Sequence, residues 1–255
     1  MEVEKVNVLG VGISVLDQDR AREFLFDVVR NGRRGYVTIT NVHSVSEAQR
    51  DPELRRIFNE ALLSTPDGMP MVWMGRLQGQ PSIRRVYGPD LVLNLCEHSR
   101  AAGFSHFFCG GKPGVAEDLA EALQERFPGL RVAGTFCPPF GPLNSEQRAA
   151  LANKVRETHP DFFWVGISTP KQERFMAEYM SILPEAKIFI GVGAAFDFLS
   201  GGVRQAPRWM MRIGLEWLFR LFQEPTRLWR RYLIYNPLFI WRAAAQLLGL
   251  RSYKL

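Results

Sequence analysis

The run Phe104-Ser105-His106-Phe107-Phe108-Cys109-Gly110-Gly111-Lys112-Pro113-Gly114-Val115 sets the reading of the fold. Its apolar first half forms a buried-type strand, the glycine pair turns the chain, and a helix is expected over Val115–Phe127. In a strand–turn–helix unit, backbone N–H groups and the helix dipole suit a phosphate. Gly110, Gly111 and Lys112 are therefore candidate phosphate or nucleotide contacts, against the plainer reading of a tight βα turn. The P-loop pattern is absent.

The same unit recurs outward in both directions. Gly35–Asn41 alternates as a strand and ends in Thr40-Asn41, ahead of a helix from Val42 to about Arg50. Ligands bind outside the carboxyl ends of such strands, so Thr40 and Asn41 are ligand contacts, helix caps, or both. His43 reads as a helix-face residue. Leu130–Thr135 is a strand leading into the stiff loop Cys137-Pro138-Pro139-Phe140-Gly141-Pro142, and Ser145 reads as the cap of a helix over Glu146–Thr158, without a capping box. Phe162–Ile167 is a strand ending in Ser168–Glu173 and a helix. Lys187–Ala195 is the last strand, followed by Phe196-Asp197-Phe198. Val6–Ile13 reads as the first strand, turning at Gly10 or Gly12. Its Gly10-Val11-Gly12 lacks the third glycine of a dinucleotide fingerprint, so NAD(P) is discounted. A helix over Asp19–Asn31 follows it. Strands and helices alternating in this way predict an α/β fold: a mostly parallel, Rossmann-like sheet flanked by helices.

A helix near Pro52–Leu63 delivers Ser64-Thr65-Pro66-Asp67-Gly68-Met69-Pro70. Pro66 fixes its own φ and Gly68 accepts a positive one, so Asp67 sits in a rigid bend. A carboxylate between apolar flanks is either a surface turn residue or an ionised group held in a cleft for chemistry. Downstream, Arg84-Arg85-Val86-Tyr87-Gly88-Pro89-Asp90 precedes a helix over Leu91–Ala102, with Asp90 as its N-cap. Arg85 binds an anion or is simply solvated.

A hydrophobic content of 46% over 255 residues excludes wholesale disorder. Three widely spaced cysteines argue against a disulfide framework or zinc site. The acidic start Met1-Glu2-Val3-Glu4-Lys5 is unlike a signal peptide, and a cytoplasmic protein is expected. No His/Cys/Asp ligand cluster is read, so neither a metal nor a cofactor is expected. Charge is uneven: from Arg204 onward there are ten Arg/Lys against two Glu, a net of +8, while the rest carries 22 against 24, a net of −2. That tail is rich in Trp, Phe and Leu. It reads as helices over Trp209–Glu224, about Thr226–Tyr235 and Leu238–Leu248, broken at Asn236-Pro237. Its uncharged runs fall short of the ~20 residues of a spanning helix. Such helices lie on an anionic membrane surface, or pack on the body or an oligomer interface. Arginines interleaved with large apolar residues speak against a nucleic-acid partner. The expected division is a catalytic or binding domain over residues 1–203 and a basic amphipathic helical appendage over 204–255.

Taken together these segments resemble the WecG/TagA/CpsF glycosyltransferase family, glycosyltransferase family 26. The resemblance rests on Thr40-Asn41, Pro66-Asp67-Gly68-Met69-Pro70, Arg85–Asp90, Gly110-Gly111-Lys112, Pro170-Lys171-Gln172-Glu173 and Gly191-Val192-Gly193-Ala194 with Phe196-Asp197-Phe198. It continues through Arg204-Gln205-Ala206-Pro207, Glu216-Trp217-Leu218-Phe219-Arg220 and Glu224-Pro225-Thr226-Arg227. The resemblance implies an inverting, metal-independent enzyme at the inner face of the membrane. It would move an N-acetylmannosamine-type sugar from a UDP-sugar to a polyprenyl-diphosphate-linked acceptor. It further implies Asp67 as base, with Thr40, Arg220, Arg227 and Arg231 (or Arg230 in its place) in the catalytic set. Asn41, Arg85, Gly88, Asp90, Gly110, Gly111, Lys112, Gln172, Glu173, Gly193, Asp197 and Arg204 would contact substrate. The competing reading is a nonenzymatic nucleotide-sugar or lipid-binding module.

Overall fold

A computed structural model describes residues 3–139 and 141–255; Phe140 of the Pro/Gly loop lies outside the described residues. The chain opens with an antiparallel hairpin. β1 (Lys5–Val8) pairs with β2 (Val11–Ser14), Lys5 facing Ser14 and Val8 facing Val11. Leu9 at φ 52° and Gly10 at φ 83° both take the left-handed region, which matches the twist of a two-residue hairpin turn. This corrects the single strand expected over Val6–Ile13: the chain reverses at Leu9-Gly10, and Gly12 lies inside β2. Leucine gives no turn signal of its own. Here its N–H donates to Gln246 Oε1 at 2.9 Å, and its carbonyl accepts from the Gln49 side chain.

α1 (Gln18–Arg30), β3 (Gly35–Thr40), α2 (Val42–Ala48) and α3 (Pro52–Glu60) follow. The expected helix to Leu63 ends at Glu60, because Ala61 is extended and Leu63–Pro66 forms β4. α4 (Met69–Leu77) and α5 (Gly88–Ala102) come next. Asp90 stands in the first turn of α5 and is not its cap, since the helix already begins at Gly88. Then alternate β5 (Ser105–Gly110), α6 (Val115–Arg126), β6 (Arg131–Phe136), α7 (Ser145–Thr158), β7 (Phe162–Gly166), α8 (Lys171–Ile182), β8 (Ile188–Gly191) and α9 (Ala195–Leu199). Asn144, not Ser145, caps α7: its Oδ1 accepts the Gln147 N–H at 2.9 Å, and Gln147 Oε1 accepts the Asn144 N–H at 3.0 Å, completing a capping box.

The main sheet has the order β4-β3-β8-β7-β5-β6. The pairs β3–β8, β7–β8, β5–β7 and β5–β6 are parallel. β3, β5 and β8 are buried throughout, as parallel strands covered on both faces must be. The expected α/β architecture is thus observed.

Contacts divide the chain into two compact units. One, here unit 2, comprises Gln18–Thr38 and Gly88–Val203. Unit 1 gathers three separate pieces: the segment up to Asp17, Ile39–Tyr87 and Arg204–Leu255.

The tail differs from its expected three helices. It contains α10 (Arg208–Arg212), α11 (Glu216–Gln223) and α12 (Pro225–Leu247). The helix expected over Trp209–Glu224 is interrupted at Gly214, which sits at φ 78° and where a Cβ would stand 2.9 Å from the Trp73 ring. Pro225 opens α12, where a missing N–H costs nothing. Pro237 does not break α12. An interior proline costs about 3 kcal/mol, but Phe239 and Ala243 just beyond it are buried in one core cluster with Val6, Val8, Val11 and Phe58. That packing holds the helix together.

Candidate active site

In unit 1 the turn after β4 carries Asp67. Its N–H donates to the Thr40 carbonyl at 2.9 Å, which ties the turn to the end of β3. Gly68 follows at φ 93°, a conformation that lets α4 start at once. The Val86 N–H donates to the Pro66 carbonyl at 2.9 Å and so brings Arg85 alongside. Arg85 Nη2 donates to Asp67 Oδ1 at 3.1 Å and to Glu216 Oε2, on the first turn of α11, at 2.5 Å. The guanidinium stacks 4.3 Å from the centroid of the Tyr87 ring.

Burial works against the Arg85 charge, but the Asp67 and Glu216 carboxylates outweigh it and raise its pKa above the ordinary arginine value. Burial also raises the Glu216 carboxyl; Arg85 pulls it down and neighbouring Asp67 pushes it up again. The Tyr87 hydroxyl is raised by burial and by both carboxylates. Arg231, from α12, is lowered chiefly by desolvation, and its Nε is buried with no hydrogen-bond partner. A desolvated guanidinium of this kind is stabilised by an anionic ligand.

Asp67, Arg85, Glu216 and Arg231 line a cavity of about 590 Å³. Of the residues expected from sequence, Asn41, Asp67, Arg85, Arg220 and Arg231 meet there. Asn41 is also the cap of α2, its Oδ1 accepting from the His43 and Ser44 N–H groups, so both of its readings coexist. Thr40 is buried and contributes its carbonyl. Arg227 does not line the cavity; its Nε pairs with Glu224 at 2.5 Å and its side chain is 58% exposed. Arg204 is exposed, its carbonyl accepting from Gln223.

The remaining expected residues belong to unit 2. The carboxyl ends of β5, β7 and β8 lie side by side, and each ends in glycine. Gly110 sits at φ 142°, and a Cβ there would stand 2.7 Å from the Gly166 backbone. Gly111 donates its N–H to the Gly166 carbonyl at 3.0 Å. Such glycines let strand ends approach more closely than any side chain permits. Gln172 and Glu173, at the start of α8, are buried. Glu173 Oε1 accepts from Thr169 Oγ1 at 2.9 Å and from Gln172 Nε2 at 3.1 Å. Gln172 Oε1 is buried without a partner, 3.4 Å from where a Cβ on Gly193 would stand. Lys112 is exposed, while Asp90 and Asp197 are half-buried and Gly88 is buried.

A model of the "Glycosyl transferase WecG/TagA/CpsF family" matches residues 6–253. The chain belongs to this glycosyltransferase family. Two curated relatives carry the name N-acetylglucosaminyldiphosphoundecaprenol N-acetyl-beta-D-mannosaminyltransferase. The protein of Bacillus spizizenii (strain ATCC 23059 / NRRL B-14472 / W23) is 30% identical over 198 residues, 78% of this chain and 74% of its own. That of Bacillus subtilis (strain 168) is 28% identical over 197 residues, 77% of this chain and 74% of its own.

For a WecG/TagA/CpsF glycosyltransferase the unexpected member of the site is Glu216. Its signal was present: it stands four residues before Arg220, so both face the same way on α11. Tyr87, within the quoted Arg85–Asp90 segment, was likewise not singled out. One Asp-x-Asp triplet occurs, Asp17-Gln18-Asp19, the spacing used elsewhere to hold a divalent ion with a nucleotide sugar. Here it opens α1, and Asp19 pairs with Arg22 at 2.6 Å.

Proposed function

We propose that this glycosyltransferase moves an N-acetylmannosamine-type sugar from a UDP-sugar to a sugar on a polyprenyl diphosphate, with inversion and without a metal. The observation that carries the reading is the cavity of unit 1, where Asp67, in a rigid turn, faces Arg85, Glu216, Arg220 and Arg231. The names of the relatives point to the same sugar and acceptor.

The acceptor hydroxyl oxygen attacks the anomeric carbon and its proton passes to Asp67, while the bond to the UDP oxygen breaks and UDP leaves with the electron pair. Charge growing on UDP is met by guanidinium groups, Arg220 first, with Arg227 released from Glu224 as a second. Arg85 holds the Asp67 carboxylate in place. Gly110, Gly111, Gln172 and Gly193 take the nucleotide or its sugar; the buried Gln172 Oε1 suits a donated hydroxyl hydrogen.

The tail docks on the inner face of the membrane. Among the described residues no helix is long and apolar enough to cross it. Trp209, Phe222, Trp229, Leu233 and Trp241 are nevertheless exposed, on a segment of net +8 charge. Flotation with anionic liposomes should weaken in high salt but persist, since salt does not screen apolar insertion.

The test mixes UDP-N-acetylmannosamine with N-acetylglucosaminyl-diphospho-polyprenol in EDTA and follows UDP and the lipid-linked disaccharide together. Stoichiometric formation of both supports the reading. Donor binding without UDP release would make the protein a binding module, and activity restored only by Mg²⁺ or Mn²⁺ would remove the metal-free mechanism.

A further inference from the structure

The cavity of unit 1 is lined by two chemically unlike sets of residues. One is Asp67, Arg85, Glu216, Arg220 and Arg231; the other is Met69, Trp73 and Met74 of α4 with Phe239, Ile240 and Leu247 of α12. On α4 the spacing puts the apolar residues on one face, and on α12 a single stripe runs from Arg231 to Leu247. At 1.5 Å per residue this stripe is about 24 Å long. It begins at a guanidinium that lacks a partner for its buried Nε and ends in aliphatic side chains. Part of the wall stands in water: Trp73 is 45% exposed, Leu77 69% and Ile240 66%. A wall of this kind left in water marks a binding surface. Its volume, about 590 Å³, is that of a ligand site.

We propose that this apolar trough holds the first isoprene units of the acceptor's own lipid, with the acceptor's diphosphate on Arg231. The inference rests on the proposed acceptor class and adds where its chain runs. Charge complementarity selects the occupant, because an anionic head must continue directly into a single long hydrocarbon chain. The acyl chains of a bilayer phospholipid come in pairs from one head, which a single stripe does not match. An isoprene unit has four backbone bonds, so several units in an extended chain are needed to run the length of the stripe. The chain would thereby fix the distance from membrane to Asp67, and the reacting hydroxyl would be presented by a lipid held along most of its proximal length.

The test needs neither donor nor turnover. The full chain is titrated calorimetrically with the diphosphates of one, two and three isoprene units, below their micelle-forming concentrations. Each added unit that leaves water should tighten binding at least tenfold. Ile240→Asp and Leu77→Asp place a charge on exposed positions of the trough, where folding is spared, and should flatten this dependence. Leu250→Asp, exposed but outside the trough, should keep it. Equal affinity for all three diphosphates, or an unchanged chain-length dependence in both trough variants, would overturn the inference. Failure of the acceptor assay with chain-length-dependent binding intact would instead overturn the proposed reaction and leave the trough standing.

Discussion

Unit 2 keeps its large apolar side chains inside, whereas unit 1 leaves many of them in water. Among the described residues every exposed large apolar side chain belongs to unit 1, and apart from Trp73 and Leu77 all lie in the tail. Unit 2 is built of consecutive strand–turn–helix units, each local in sequence. Its functional candidates are backbone-like: glycines at strand ends and two buried polar residues at a helix start. Unit 1 is assembled from three distant segments, and its candidates are charged side chains meeting around a cavity. The proposed donor bed and acceptor trough call for such contrasting surfaces. On that proposal, unit 2 works through what is absent, a Cβ, and unit 1 through ionised groups and unburied hydrocarbon.

The comparison breaks most sharply by removing the tail. Truncation after Gly202 takes Phe239 and Ala243 out of the core shared with Val6 and Val8, and takes away the bond from Asn7 Nδ2 to the Tyr253 carbonyl at 2.7 Å. Unit 1 should lose its cooperative unfolding transition and the protein all turnover, while hydrogen exchange in β5, β7 and β8 stays slow. A truncated chain that melts like the intact one would show the tail to be an accessory.

Gly110→Ala attacks unit 2. The new Cβ would stand 2.7 Å from the Gly166 backbone at a φ of 142°. The expected cost is about 1–3 kcal/mol of stability, with donor KM raised and acceptor KM unchanged in steady-state kinetics. An unaltered donor KM would take Gly110 out of the donor contacts.

His106 gives unit 2 a pH signature of its own. Burial lowers its pKa from 6.5 to about 3, and its Nδ1 accepts from Trp164 Nε1 at 3.0 Å. With the folded value below the unfolded one, this stabilisation is complete above pH 6.5 and is lost as pH falls toward 3. The slope is roughly 1.4 kcal/mol per pH unit. Urea midpoints at pH 7 and pH 5 should therefore differ by more in the wild type than in His106→Leu. Equal differences would remove His106 from the account.

Glu216→Gln is the mildest change. Arg85 would then keep a charged partner in Asp67 alone and hold it less firmly in place, so kcat should fall about tenfold. An unchanged kcat would show that Glu216 does not act through Arg85.

Much of unit 2 was legible because its elements follow one another and their periodicity changes at glycines. Gly110-Gly111 and Gln172-Glu173 stand where expected, at the end of β5 and the start of α8. Unit 1 was less so. Leu9 adopts a left-handed turn that no leucine advertises, and the apolar run Ala61-Leu62-Leu63 disguised β4 as the end of α3. Pro237 signalled a break that burial of Phe239 and Ala243 overrides. The cavity was invisible because Arg85 and Glu216 lie 131 residues apart and meet only through packing.

The most direct test of the division between the units is Asp67→Asn, with donor binding and turnover measured on the same preparation. Loss of a general base typically lowers the rate roughly 10²–10⁴-fold. The account predicts a drop of that size in UDP release to the lipid acceptor, with wild-type affinity for UDP-sugar and an unchanged melting curve. Wild-type turnover by the Asn variant, or loss of donor binding in step with turnover, would contradict it.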